Sequence, residues 1–315
     1  MIRIETVRGL VLQTPNFADC VRFYGAVWGL CQLPDGSPDR GFFAGRGTEP
    51  WILGIEPSAT PAMGPLRLGL GSTELVDAAA RTLSSLGVAV DGPPRLLNWP
   101  GSYYGFFFTD PDGRRTEISA IKDPSAQARH VDARPERVSH IVVNSTNARR
   151  MAEFYVDVLG FAMSDWYERD HIIFLRCSAD HHSLGFSQAQ TRSLNHVAFL
   201  VDDLEAIMRA MGSVKRAAGA EPIWGPGRHG PGGNVFAYFE DPAGFVTEYT
   251  AELIQINEPG DWRPKEWQRS PEHANVWGTG GPTSRAIALM AGGQQVDSRA
   301  TAAPGSASTD QAREK

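Results

Sequence analysis

The chain has 315 residues, 21% of them charged and 42% hydrophobic, and a formal net charge of −6. That balance suits an ordinary globular protein and excludes the basic stripe of a nucleic-acid binder. No apolar run reaches membrane-span length, no charged-then-apolar leader opens the sequence, and Cys20, Cys31 and Cys177 lack CxxC spacing, so a cytoplasmic protein with reduced thiols is expected.

Taken from its start, the chain repeats itself. Residues 7–30 (VRGLVLQTPNFADCVRFYGAVWGL) lie over residues 138–161 (VSHIVVNSTNARRMAEFYVDVLGF) without gaps, an offset of 131 (138 − 7). It pairs Val7 with Val138, Asn16 with Asn147, Phe23 with Phe154, Tyr24 with Tyr155 and Gly29 with Gly160. The same offset sets DPDGRRTEI, from Asp110, over DPAGFVTEY, from Asp241. Agreement in register at both ends marks a duplicated module. The boundaries read as residues 1–121, a polar linker with two prolines at 122–137, and a second module at 138–252.

Within the second module, the apolar run Val138 to Val143 predicts a strand. It leads to a helix with Thr146 or Asn147 as N-cap, with Met151, Phe154, Tyr155, Val158 and Leu159 on one face and Gly160 as the stop. Asn195 to Val201 predicts another strand, followed by an amphipathic helix carrying Leu204, Ile207, Met208 and Met211. Val235 to Glu240 and Phe245 to Thr250 predict two closing strands around an Asp241-Pro242-Ala243-Gly244 turn. Residues 253–290, with Trp262, Trp267 and Trp277, are expected to pack back on this module as a possible lid, and 291–315 reads as a disordered tail.

Six of the eight histidines fall in the second module: His140, His171, His181, His182, His196 and His229. His140, His196 and Glu248 sit on predicted strands. Two neutral imidazoles and a carboxylate cover one face of an octahedral metal and leave three positions open, the donor set of a non-haem Fe(II) site. A structural zinc site needs four ligands, usually with cysteine, and no cysteine pair is near. The repeat acts as an internal control. Gly9 stands opposite His140, and Leu66, Arg67 or Leu68 opposite His196, so packing does not require these histidines. Glu117 persists opposite Glu248, which makes the carboxylate alone less telling.

Two blocks carry a resemblance to a known family. GRHGPGGNVFAYFEDPAGFVTE presents His229, Tyr238, Asp241, Pro242, Gly244 and Glu248, and His181-His182-Ser183-Leu184 precedes His196. Residues of about 4–255 resemble the vicinal oxygen chelate superfamily, and the second module resembles the type I extradiol ring-cleaving dioxygenases. The resemblance implies an α+β fold of two tandem βαβββ modules, each a curved mixed sheet, with a structural, metal-free first module. It implies His140, His196 and Glu248 as ligands of Fe(II), with Mn(II) the second choice. His182 is the implied acid–base group, with His181 its less favoured neighbour. His229 and Tyr238 are the implied pair at the substrate oxygens. Phe107, opposite Tyr238, has no hydroxyl. The implied reaction opens a catechol-type ring next to its vicinal hydroxyls with O2, giving a semialdehyde that keeps both oxygen atoms. The partners are an aromatic diol and O2, with neither nucleic acid nor membrane, in a homo-oligomer. A glyoxalase-like isomerase or lyase, or a protein that only binds small aromatics, are the competing readings. Strand residues such as Phe174 and Phe186, loop residues near Trp224 and the Trp-containing segment after 255 are the expected pocket walls.

Overall fold

The structure is a computed structural model that describes residues 2–34, 39–123, 132–257, 260, 262–292 and 295–296. In the first half, β1 (Thr6–Thr14) leads to α1 (Phe17–Arg22), which continues through a π-helical turn at Phe23–Val27. Then come β2 (Cys31–Gln32), β3 (Gly41–Ala44) and β4 (Leu53–Pro57). The same order follows again as β5 (Ala62–Gly69), α2 (Thr73–Ser85), β6 (Arg95–Leu96), β7 (Tyr103–Thr109) and β8 (Arg115–Ile121).

The second half repeats the pattern. It runs β9 (Val138–Ser145), α3 (Ala148–Asp157), β10 (Ala162–Tyr167), β11 (Ile172–Arg176) and β12 (Leu184–Gln188). Its closing unit is β13 (Leu194–Leu200), α4 (Leu204–Ala218), β14 (Trp224–Arg228), β15 (Val235–Glu240) and β16 (Val246–Ala251). Each module is therefore two βαβββ units. The chain then adds β17 (Lys265–Trp267), α5 (Pro271–Ala274), α6 (Ser284–Gly292) and β18 (Gln295–Val296).

Each half forms a nine-stranded mixed sheet. The first is ordered β2-β3-β4-β1-β5-β8-β7-β6 with β18 on β5, and the second β14-β15-β16-β13-β9-β12-β11-β10-β17. The centres match: β1 pairs parallel to β4 and antiparallel to β5, as β9 pairs to β12 and β13. Helices pack on one face of each sheet; on the other, the first sheet carries a cluster of Val11, Phe42, Trp51, Leu97, Tyr103 and Phe107, and the second carries His140, His196 and Glu248. Capping sets the helix starts, with Asn147 accepting from Arg150 N and Asp203 from Ala206 N. Gly219, at φ 65°, ends α4 in the left-handed conformation.

The modules are joined by the residues that the repeat pairs. Tyr24 of the first donates to Asp241 Oδ2 of the second at 2.9 Å, and Tyr155 of the second reaches Asp110 Oδ2 of the first at 3.4 Å. The recurring aspartates also cap their own turns, Asp110 Oδ1 accepting from Asp112 and Arg114 N and Asp241 Oδ1 from Ala243 and Phe245 N. Trp28 stacks on Tyr249 at 3.7 Å and 9°. The second half of the connecting segment also docks, Arg134 Nη1 donating to Trp28 O at 2.8 Å and Tyr249 Oη at 2.9 Å.

The expected disordered tail begins inside α6, whose last residues are Ala291 and Gly292, and Gln295–Val296 pair with β5. The rest of that tail, 293–294 and 297–315, lies outside the described residues.

Candidate metal centre

Register builds the site. His140 pairs with Ala198, Ala198 with Glu248 and Glu248 with Tyr238, so one row crosses β9, β13, β16 and β15 on a single face. His196, two residues before Ala198 on β13, shares that face because side chains alternate along a strand. The ligand atoms of His140, His196 and Glu248 lie within 4.8 Å of one another, all three residues buried. His140 Nε2 stands 3.3 Å and His196 Nε2 3.4 Å from Glu248 Oε2.

The contacts around His196 show what belongs between these atoms. Asn195 Nδ2 donates to Asn144 Oδ1 and to Met290 O, both at 3.0 Å, which turns Asn195 Oδ1 toward His196 Nδ1 at 2.8 Å. An amide oxygen only accepts, so His196 carries its proton on Nδ1 and its lone pair on Nε2. That lone pair faces the carboxylate, and His196 Nε2 and Glu248 Oε2 are both buried without a hydrogen-bond partner among the described residues. Two acceptors facing each other repel, and a cation bound to both removes the conflict. Burial pushes His140 and His196 down to about 3, so both imidazoles are neutral and ready to ligate. Burial pushes Glu248 up from the usual carboxylate range, a cost that a bound cation would relieve. The residues present fit a divalent metal.

The other expected residues gather around this face. His182, just before β12, packs its ring 4.4 Å from that of His140 and 4.8 Å from Phe174. Burial, then the His140 ring, hold it well below its ordinary value. His229 follows β14 and stacks on Phe236 at 3.9 Å. Its Nδ1 donates to Ala274 O at 2.7 Å, so its Nε2 accepts from the Tyr238 hydroxyl at 3.0 Å. Burial and Glu248 hold Tyr238 well above its ordinary value, so it remains a phenol. Trp224 stacks on Tyr238 at 5.1 Å, as expected of a wall residue. Phe186 does not join it: it lies in the main core against Tyr155, on the opposite side of β12.

Sequence reasoning missed Asn195 and Asp165. Asn195 adjoins a ligand, which was a usable signal. Asp165, which contacts His181 Nε2 at 3.2 Å, lies on a strand the sequence did not predict.

The first module shows how the same place is filled without a metal. The offset holds through β5 and β13, which puts Pro65 (196 − 131) opposite His196 rather than Leu66, Arg67 or Leu68. Arg67 pairs with Glu117 in register, as Ala198 does with Glu248, and its Nε lies 3.1 Å from Glu117 Oε2. Both side chains are fully buried. Trp99 Nε1 and Ser119 Oγ also donate to Glu117, at 2.9 and 2.6 Å. Glu117 is thus paired with a buried guanidinium.

Comparison with known proteins agrees with this geometry. Residues 137–249 match the family model described as Glyoxalase/Bleomycin resistance protein/Dioxygenase superfamily. The crystal structure of the Mn(II)-bound glyoxalase from Novosphingobium aromaticivorans superposes with a TM-score of 0.84. It is 32% identical and the match covers 91% of this chain and 94% of that one. Metapyrocatechase 2 of Cupriavidus necator is 29% identical over 202 residues, 57% of this chain but 61% of its own length. The manganese-dependent 2,3-dihydroxybiphenyl 1,2-dioxygenase of Geobacillus genomosp. 3 is 24% identical over 285 residues, 82% of this chain and 88% of that protein. The fold and the buried His-His-Glu set define a tandem-module metalloprotein of the vicinal oxygen chelate type. The chain belongs to the Glyoxalase/Bleomycin resistance protein/Dioxygenase superfamily.

Proposed function

We propose that this protein is an extradiol dioxygenase that opens a catechol-type ring beside its vicinal hydroxyls, using O2 and a metal held by His140, His196 and Glu248. The observation that carries the reading is the unpartnered pair His196 Nε2 and Glu248 Oε2, set on one face with His182, His229 and Tyr238. The metal in this reading is Fe(II); Mn(II) suits the same donors and appears in the names of two similar proteins. When bound, it supplies Lewis acidity toward the diol oxygens and one-electron chemistry toward O2 at its open positions.

The chain's own residues handle substrate and protons. Tyr238, fixed by His229 and stacked on Trp224, presents a phenol that hydrogen-bonds a diol oxygen and sets the ring's orientation. His229, with its Nδ1 proton committed to Ala274 O, stays in register for that task. His182 is neutral at working pH and takes a diol proton, which it later returns. Phe174 and Trp224 flank the face as apolar walls. Because Ala274 belongs to the segment after β16, that segment also serves in this proposal as the cover of the site.

A glyoxalase-like isomerase that drew ligands from both modules is disfavoured by one observation: Gly9 and Pro65 stand opposite the two histidines, and Glu117 is engaged by Arg67. The test is anaerobic loading with Fe(II) or Mn(II), then O2 uptake and yellow-product formation across monocyclic and bicyclic catechols. Metal-dependent uptake matched mole for mole by product is expected. No uptake with either metal across the panel refutes the proposal.

A further inference from the structure

We infer that Asp165 and His181 are positioning residues that fix the proton of His182 on Nδ1 and so leave the lone pair of Nε2 as the base. This rests on the dioxygenase reading only for what His182 does; the tautomer itself follows from contacts once His181 is neutral.

The chain of contacts starts at Asp165 on β10, a fully buried carboxylate. Its Oδ1 accepts from Lys265 N at 3.0 Å and its Oδ2 from Trp267 Nε1 at 2.7 Å. Peptide and indole N–H groups only donate, so both carboxylate oxygens are acceptors. His181 Nε2, 3.2 Å from Oδ2, must then be the donor. A neutral His181 has its lone pair on Nδ1, which lies 3.0 Å from His182 Nδ1. With His181 as an imidazole, a proton on His182 Nδ1 makes that contact a hydrogen bond; with His181 as an imidazolium, its own Nδ1–H would donate instead and the His182 proton would sit on Nε2. The neutral case leaves the free lone pair of His182 on Nε2. An imidazole's tautomer is set by the bond its other nitrogen makes, and here a carboxylate two links away sets it.

Neighbouring groups pack closely against both rings. Trp262 lies edge-on to His181 at 5.1 Å, and His181 N donates to Ile254 O at 2.8 Å. A Cβ on Gly232 would stand 3.1 Å from His182 Nδ1, so only glycine fits there, at φ 77°. Ile254, Trp262, Lys265 and Trp267 all follow β16, and Lys265 to Trp267 form the strand that pairs with β10. The segment after the second module thus builds the relay from behind. The first module, at the same offset of 131, has Pro34, Pro50 and Trp51 where the second has Asp165, His181 and His182. It lacks the relay together with the two histidines of the proposed metal site.

The test reads the tautomer directly, on the full chain labelled with 15N at histidine and loaded with diamagnetic Zn(II). Protonated and unprotonated ring nitrogens are distinct in such spectra. In the wild type the proton of His182 is expected on Nδ1. His181→Phe should move it to Nε2, and His181→Gln, whose side-chain carbonyl accepts, should keep it on Nδ1. A wild-type His182 protonated on Nε2 overturns the inference by itself, whether or not the variants fold; so does an unchanged pattern in His181→Phe. With a catechol that the Fe(II) enzyme turns over, His181→Phe should lower kcat about 100-fold, with KM within about twofold and His181→Gln recovering most of the loss. If no catechol is turned over by the wild type, ring cleavage fails while the tautomer result stands.

Discussion

A carboxylate buried on a central strand costs several kcal/mol unless a cation neutralises it, and the two modules supply that cation differently. Glu117 has the Arg67 guanidinium, which also stacks on Trp51 with its carbon 3.5 Å from the ring centroid. Glu248 has instead the Nε2 atoms of His140 and His196 at 3.3 and 3.4 Å from its Oε2, a set that could hold a metal. Arg67→Met should therefore destabilise the protein by about 3–5 kcal/mol, because it leaves a charge buried and unpaired. Adding Glu117→Gln should recover most of that loss, as read from urea midpoints; equal midpoints for single and double variants would contradict it. Glu248→Gln should behave oppositely. It should lower metal content to background, while the metal-free protein at neutral pH melts no lower than metal-free wild type. The proposed ligands were legible because six of the eight histidines fall in the second module and the repeat shows where the scaffold does without two of them. Pro65 and the Arg67–Glu117 pair were not, since β5 and β13 share few identical residues and register is needed to align them.

At the scale of elements, the turn before β8 and its counterpart before β16 tie the modules together as well as leading the chain into the site. Asp241 is buried, and that burial pushes it up to about 7 from an ordinary 3.8, against the hydrogen bonds from its turn and Tyr24. The folded state therefore holds a proton that the unfolded chain releases between those two values. Stability from this group is present in full below about 3.8 and is lost as pH rises through about 7. The ceiling on that loss is about 4 kcal/mol. Asp241→Asn keeps an oxygen for the turn and cannot ionise. Its stability relative to wild type should rise steadily from pH 4 to pH 8 in urea titrations; a constant difference would show that Asp241 does not titrate in this window. The Asp-Pro-x-Gly-x-x-Thr-Glu block was legible as a strand–turn–strand leading to a ligand. Its aspartate's second partner was not, because Tyr24 lies 217 residues away. The short strands β10, β11 and β17 were also hidden. Their apolar residues do not alternate cleanly, and β17 is a three-residue strand paired with β10 at the sheet edge.

On the scale of the whole molecule, the duplication does not yield two independent bodies. One hydrophobic cluster includes Leu10, Trp28 and Leu66 of the first module with Ile141, Phe199 and Tyr249 of the second. Ile2 N and Ile4 N donate to Val158 O and Leu159 O at 3.3 and 3.0 Å, so the chain's start is pinned to the end of α3. The two tyrosine–aspartate tethers and Arg134 add polar contacts across the same boundary. A shared core couples the unfolding of both sheets, and a ligand bound to the native state stabilises whatever unfolds with its site. Thermal unfolding should therefore be one transition, with metal loading raising its midpoint for probes in either module. Arg67→Met, which lies in the module that lacks the two histidines, should lower the temperature at which metal is released along with the fluorescence midpoint. Two transitions, with metal release unmoved by Arg67→Met, would show instead that the first module unfolds alone. In the coupled case, the first module's contribution is a rigid back wall: Trp28 against Phe199, Phe239 and Tyr249 holds β13, β15 and β16 in place. Those three strands carry His196, Tyr238 and Glu248.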